Sequence, residues 1–450
     1  MKQDAIQMTE GPLVKNIIRF AIPIALTGML QQLFNAADTA VVGRFADARA
    51  LAAVGINGEL IALFICLSVG LSIGSNVLIA GYTGNKNFRA IPAAVHTSIS
   101  LSVLLGLIGM ALGLIIADPL LSLIDTPEEI FSLASLYLKV YLLGYPFLLI
   151  YDFASAILRG RGDSKSPFLA LLLSGVINVL LNLVLVLGFH MSVAGVAIAT
   201  DVASAIAALL TLCKLSRLDG PFHFSLSQLS FNSSMALRIL RIGIPAALQN
   251  AVFCFANVFV QAAVNQFGTA VVAGNTIVIS YEYFMYYLID SFALAATTFS
   301  SQCLGAGKLL RCKKIFLHCL WLALLAGFLI SLPAALDYRH AAGFFTTDAD
   351  VIEAARVRFL IILLWEPFCA LFEISACTMR GLGYSSLPAL WSVLCICCVR
   401  ILWLLFVFPH FPKVETIYIV FPISWSINIL VMNISFYRIW KKLKSSRRNW

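Results

Sequence analysis

The sequence predicts an all-α polytopic membrane protein: twelve transmembrane helices in two homologous six-helix lobes with a central cleft. Composition, recurring apolar runs and an internal repeat carry that prediction. Of 450 residues, 60% are hydrophobic and only 12% charged, whereas soluble domains carry about 25% charged residues. Apolar runs of roughly 18 residues or more, enough to cross a bilayer, recur along the whole chain. A transmembrane β-barrel would show short alternating segments instead. The first apolar run has no cleavage-site pattern and continues into a full span, so no removable signal peptide is expected.

The repeat is collinear. IIRFAIPIAL (17–26) returns as ILRIGIPAAL (239–248), and RGRGDSKSP (159–167) as RGLGYSSLP (380–388). Pro146 falls on Pro367, Gly84 on Gly305 and Asn35 on Asn257, all at an offset of about 221 residues. The expected spans lie near 14–42, 51–80, 91–117, 130–158, 166–189 and 193–214, then 236–265, 271–301, 313–336, 353–379, 386–409 and 414–440. The domains follow: an N-terminal lobe (1–214), a cytoplasmic linker (215–235), a C-terminal lobe (236–440) and a basic tail (441–450). Each lobe has an even number of helices, so the repeats are parallel, which suits rigid-body rocking about a cleft.

Loop charges orient the chain. Lys2, Lys15, Lys86, Arg89, Arg159, Arg161, Lys165, Lys214, Arg217, Arg238, Arg241, Lys308, Arg311, Lys313, Lys314, Arg380 and the tail Lys441, Lys442, Lys444, Arg447 and Arg448 fall on one side. Asp118, Asp125, Glu128, Glu129, Asp348 and Asp350 fall on the other. The positive-inside rule makes both termini cytoplasmic in a cell (plasma or inner) membrane, and an even helix count demands the same. The net charge of +9 is thus mostly topology, and no nucleic-acid partner is expected. Eleven Cys without zinc spacing read as buried thiols.

The first helix carries the most expensive residue. An acid at membrane depth costs about 2.5–3.5 kcal/mol on insertion scales and persists where it is paired, hydrated or used. Asp38 is such an acid, and Pro23 interrupts the same helix, as a hinge or a plain kink. Asn35 is three residues from Asp38 and shares its helix face. Asn178 and Asn182, four apart in the fifth helix, share another, and Thr200 adds a hydroxyl. One carboxylate with several neutral oxygens suits a proton or Na⁺; a structural acid held between helices is the competing reading. Asp201 follows Thr200 and points about 100° away, so the two are not expected in one site. Asp152 also lies within a span.

The C-terminal lobe has its own acids. Glu366 and Glu373 are seven apart, on one face of the tenth helix; Glu282 and Asp290 lie in the eighth. Together they suggest a negative, water-accessible cavity that prefers cationic substrates, with Gln261, Asn265 and Tyr286 in its lining. For the tyrosine cluster around Tyr286, a lipid-facing or interfacial belt is the commoner explanation. Arg400, inside the eleventh helix, needs an acid and is expected in a structural ion pair. GAGKLL (305–310) lacks Walker spacing, and Arg161-Gly162-Asp163 lies on the predicted cytoplasmic side.

These residues resemble the multidrug and toxic compound extrusion (MATE) family over nearly the whole chain. The resemblance rests on IPIALTGMLQQLFNAADTAVVGRFADARALAAVG in the first helix and its exit, RGRGDSKSP, GVAIAT, IGIPAALQN, VQAAVNQFG, TTFSSQCLGAGK, MRGLGYSSLP and FPISWSI. It implies a V-shaped pair of lobes exporting organic cations and other amphipathic compounds in exchange for H⁺ or Na⁺. It also implies that Asp38 binds the coupling ion and that the first helix bends at Pro23. Where some members carry Asn-x-x-x-Asp in the fifth helix, this chain has Asn178 and Asn182, so its second acid is an amide. The family's sixth-helix Thr matches Thr200. Acids that other branches place in the seventh and tenth helices fall on Phe253 and Cys369.

The expectation is therefore a secondary antiporter with a small-molecule substrate, monomeric in the bilayer, with no cofactor besides the coupling ion. A flippase for a lipid-linked saccharide or polysaccharide precursor is the alternative; it would want several central cations to hold a pyrophosphate. An enzyme is not expected, since His96, His190 and His318 have no consistent catalytic partners.

Overall fold

The computed structural model describes residues 5–446; Lys2, Arg447 and Arg448, counted above among the terminal charges, lie outside the described residues. Twelve long helical segments follow one another, and no strand occurs among the described residues. They are α1 (Leu13–Phe45), α2 (Ala48–Gly84), α3 (Ile91–Leu123), α4 (Glu128–Leu143, continuing as Tyr145–Arg161), α5 (Lys165–Gly188) and α6 (Ser192–Ser216). Then come α7 (Ser233–Phe267), α8 (Thr269–Gly305), α9 (Leu309–Leu336), α10 (Ala349–Gly381), α11 (Ser386–His410) and α12 (Val414–Ser446). Ten are long and apolar enough to cross a membrane as they stand, and α4 makes an eleventh when its two parts count as one span. α8, 37 residues long, completes the twelve.

Two spans that the sequence presents as straight are broken, and the repeat relates the breaks. α4 bends by 43° at Gly144, just before Pro146. In α10 a π-helical turn (Phe359–Leu363) and a 3-10 turn (Glu366–Phe368) interrupt the helix around Pro367. Proline removes a backbone donor and crowds the preceding turn, so equivalent prolines weaken equivalent helices. Pro23 and Pro245, the other repeat-related pair, sit inside α1 and α7, which remain continuously helical.

The chain divides into two compact units. Unit 1 is Leu26–Ala247 with the segment ending at Ile6; unit 2 is Gln7–Ala25 with the chain from Leu248 onward. Each unit therefore takes only part of α1 and α7, and both handovers fall two residues after the paired prolines.

Unit 1 packs α2 and α3 against the second part of α4, and α6 against α4 and α5. Its core includes Phe64, Leu121, Leu138, Leu149 and Val196. Along α2, the Gly70/Gly74 pair lets the first part of α7 approach backbone to backbone. A Cβ at Gly74 would lie 2.0 Å from the Ile239 carbonyl oxygen, and one at Gly70 would lie 2.3 Å from Ala247 Cα. The polar stretch 215–235 is tied down rather than loose. Phe224 stacks on His96, and the Ser225 and Asn232 amides donate to His96 Nε2 and Thr97 Oγ1.

Unit 2 packs α8 against α9 and α10, and α10 against α12, around Phe372, Ile396, Tyr418 and Trp425. Ahead of α1, residues 7–11 form a strap. Arg311 donates to the carbonyls of Met8, Glu10 and Gly11, and Lys308 to Thr9 and the Glu10 carboxylate. Lys308, the Gly-Lys lysine, is thus a strap anchor. Asp163 of the Arg-Gly-Asp triplet accepts from the Lys165 and Ser166 amides and the Ser166 hydroxyl, a helix-start role for α5.

Candidate ion and substrate sites

Asp38 lies in the part of α1 that belongs to unit 1 and is 8% exposed. α5 and α6 surround it with neutral partners. Asn182 Nδ2 donates to Asp38 Oδ1 at 2.5 Å, and Thr200 Oγ1 lies 3.3 Å from Oδ2. Asn178 Nδ2 donates to Thr200 Oγ1 at 3.3 Å, while its Oδ1 accepts from Asn182 at 3.3 Å. The i, i+4 spacing of the asparagines stacks their amides one turn apart. Thr200 also bonds the Val196 carbonyl at 3.0 Å, which fixes its rotamer. Asn182 Oδ1 is buried with no hydrogen-bond partner, an acceptor that a proton carrier or a cation would satisfy.

Four of the five predicted residues thus meet. Asn35 does not join them. Its side chain is exposed, and its carbonyl accepts from Thr39. A spacing of three leaves about 60° between two side chains, enough to turn Asn35 out while Asp38 turns in. Thr200 and Asp201 diverge as expected, the latter lying against Gly144. No salt bridge reaches Asp38 among the described residues, and none of them groups three His, Cys, Asp or Glu as a metal site. One carboxylate with amide and hydroxyl oxygens can hold one H⁺ or one Na⁺.

The predicted C-lobe residues fall into two clusters. In the first, Arg358 grips Glu282 with both arms, Nε to Oε1 at 2.7 Å and Nη2 to Oε2 at 2.5 Å. Its Nη1 donates to Asn275 Oδ1 at 2.6 Å. Asn275 also accepts from the Tyr418 hydroxyl at 3.0 Å and donates to Gln261, which donates to Asn265 at 2.8 Å. Glu366 is half-buried and within electrostatic reach of Glu282, Arg358 and Arg400, with Oε2 buried and lacking a hydrogen bond. In the second cluster, Arg380 lies 3.9 Å from Glu373 and donates to Gln249 at 2.7 Å, with Asp290 in electrostatic reach. The Cys377 thiol also donates to Glu373. Tyr286 is exposed and packs edge-on against Tyr287.

Glu366 and Glu373 both follow the turn at Leu364 and Trp365, in one helical stretch, and Cys369 lies within electrostatic reach of both. One expectation needs correction. Arg400 pairs with no acid among the described residues. It donates to Asn257 and Ser424, and its guanidinium lies 3.9 Å from the centroid of the Phe421 ring, a cation–π contact that offsets part of its burial. The sequence reading missed Arg358, Asn275 and Tyr418. Arg358, two residues after Arg356 and just ahead of the apolar run FLIILLW, resembles an ordinary span-end charge. Arg380, counted as a loop charge, is 3% exposed. Buried guanidinium groups therefore offset most of the negative character expected of this lobe.

The comparisons with known proteins agree with this architecture. The MatE family model matches residues 23–184 and again 245–404, one match for each half of the repeat. The probable multidrug resistance protein YoeA of Bacillus subtilis is 27% identical over 440 residues, covering 95% of this chain and 94% of that protein. The probable multidrug resistance protein NorM of Thermotoga maritima is 28% identical over 398 residues, 86% of this chain and 84% of that one. A multidrug resistance MATE family transporter of the MOP superfamily, solved in an outward-facing conformation, shares the fold. Its TM-score is 0.87 at 23% identity, over 98% of this chain and 99% of the other. The two family matches cover most of the chain, and the buried polar clusters sit inside a helical membrane protein; this chain belongs to the MatE family, whose members are transporters rather than enzymes.

Proposed function

We propose that the protein is a secondary active antiporter that exports organic, cationic or amphipathic compounds in exchange for H⁺ or Na⁺, by rocking of its two lobes. The observation that carries the reading is the buried Asp38 carboxylate, held only by neutral donors from α5 and α6. An intramembrane acid without a basic partner is costly, and loading and unloading an ion gives it a use. Asp38 has no repeat counterpart, since the equivalent position is Val260. The names of the relatives support export of drug-like compounds. The charge balance of the C-lobe shifts the weight from strictly cationic substrates towards amphipathic ones.

In this cycle Asp38, Asn178, Asn182 and Thr200 take the ion on one side of the membrane, the lobes rock, and ion release on the other side resets the carrier. Pro23 lies two residues before α1 passes between units and supplies the hinge. The test is transport of ethidium in vesicles with imposed H⁺ or Na⁺ gradients. The wild type should respond to one gradient, and Asp38→Asn should lower gradient-driven transport at least tenfold while leaving expression unchanged. Normal transport by Asp38→Asn would remove the coupling role.

A further inference from the structure

Unit 1 holds two more acids that the Asp38 cluster does not use, buried Asp152 and half-buried Asp201, and both lie along α4. We propose that Asp201 and Asp152 bind protons in turn and, with the α4 tyrosines, form a relay from Asp38 through unit 1 to its arginine-bearing end. The inference rests on the reading of Asp38 as the coupling site and makes H⁺ the coupling ion.

The register of α4 carries it. Tyr137 and Tyr141 lie one turn apart before the bend, and Tyr145, Asp152 and Arg159 follow it at spacings of seven, each set on one face of its part of the helix. Summed along its two parts, the stripe from Tyr137 to Arg159 follows about 33 Å of helix. Tyr137, Tyr141, Tyr145 and Asp152 are all buried, Asp152 at 5% exposure. The top of the stripe lies at the Asp38 cluster, where Tyr137 is within electrostatic reach of both Asp38 and Asp201. Tyr141 is within reach of Tyr137, Asp201, Tyr145 and Asp152, and Tyr145 of Asp152. Tyr145 also donates to the Phe64 carbonyl at 3.4 Å.

Asp201 is seated by the bend in α4. The absence of a side chain at Gly144 makes room for it: a Cβ there would lie 2.0 Å from Asp201 Oδ1. The carboxylate accepts from the Gly144 amide. Asp152 accepts from Ser68 Oγ of α2 at 2.6 Å and lies within reach of Tyr151 and Arg159. No salt bridge reaches Asp201 or Asp152 among the described residues. If these tyrosines were only packing, phenylalanine would serve as well; a buried row of hydroxyls between the Asp38 cluster and Asp152 gives them a use.

Each transfer balances. A proton leaves the protonated Asp38 carboxyl and an O–H bond forms on Asp201, leaving Asp38 as the carboxylate. A tyrosine hydroxyl on the way passes one proton on as it accepts another, so it stays neutral. Asp152 takes the proton next and gives it to water at the end marked by Arg159 and Arg161.

The test is time-resolved infrared spectroscopy of carboxyl protonation after a pH jump, on the purified full-length chain, with thermal unfolding recorded for each variant. Asp38→Asn, Asp201→Asn and Asp152→Asn should each remove a distinct carboxyl signal. The latter two, and Tyr141→Phe, should slow deprotonation of Asp38 at least tenfold at an unchanged Tm. Asp152→Asn keeps an acceptor for Ser68, and Asp201→Glu should restore the rate. The relay is overturned if Asp201 or Asp152 gives no protonation signal, or if Asp38 deprotonates at the wild-type rate in both variants. Should Asp38→Asn lose no signal, the proposed function itself fails, a separate outcome.

Discussion

Arg358 and Glu282 are 6% and 13% exposed at their side chains and form a two-point ion pair. Breaking such a pair from one side strands a charge and costs about 3–5 kcal/mol, whereas replacing both partners with apolar groups is often neutral. Arg358→Met and Glu282→Leu should each lower the Tm in detergent markedly, and the double variant should recover most of the loss. Because the Arg358 guanidinium also holds Asn275, recovery should be incomplete. Asp38 was legible in the sequence because a lone acid deep in a span has few bland explanations. Arg358 was not, because its meaning depends on Glu282, 76 positions earlier, and on the fold that joins them. Asn35 failed for a local reason, since a spacing of three admits side chains that diverge.

At the scale of elements, existence was legible from hydropathy and breaks were not. The runs that became α4 and α10 read as continuous because their apolar content does not change at Gly144 or Pro367; backbone hydrogen bonding does. The Gly70/Gly74 pair serves helix packing, at backbone contact with α7. Gly74→Ala should destabilise the protein by about 1–3 kcal/mol through overpacking, read as a drop in Tm, while Gly58→Ala, where a Cβ meets nothing within 4 Å, should not. At the start of α5, Asp163→Ala removes acceptors for two amides and should cost about 0.5–2 kcal/mol. The motif therefore serves capping, and its resemblance to an adhesion triplet is incidental.

For the whole molecule, the repeat was the most informative sequence feature. It foretold two homologous halves, and the family model matches each half separately. It could not foretell where the compact units begin, because homology follows the chain while compactness follows contacts. The units pass from one to the other two residues after Pro23 and after Pro245. Each half of the repeat thus contributes the opening part of its first helix to the other unit.

That exchange bears on how the protein is made. When the ribosome has finished the first six helices, unit 1 still lacks Ser233–Ala247 of α7, and Gln7–Ala25 has no unit to join until the second half emerges. Assembly must therefore be largely post-insertional, with an early segment waiting in the membrane for late partners. Two fragments made by cutting the chain within 215–235 each lack a piece of the unit they mostly encode. Expressed alone, each should be degraded; expressed together, they should recover as a complex by co-purification. A cut after Ala247 would give unit 1 its piece of α7 and should let the first fragment persist longer on its own.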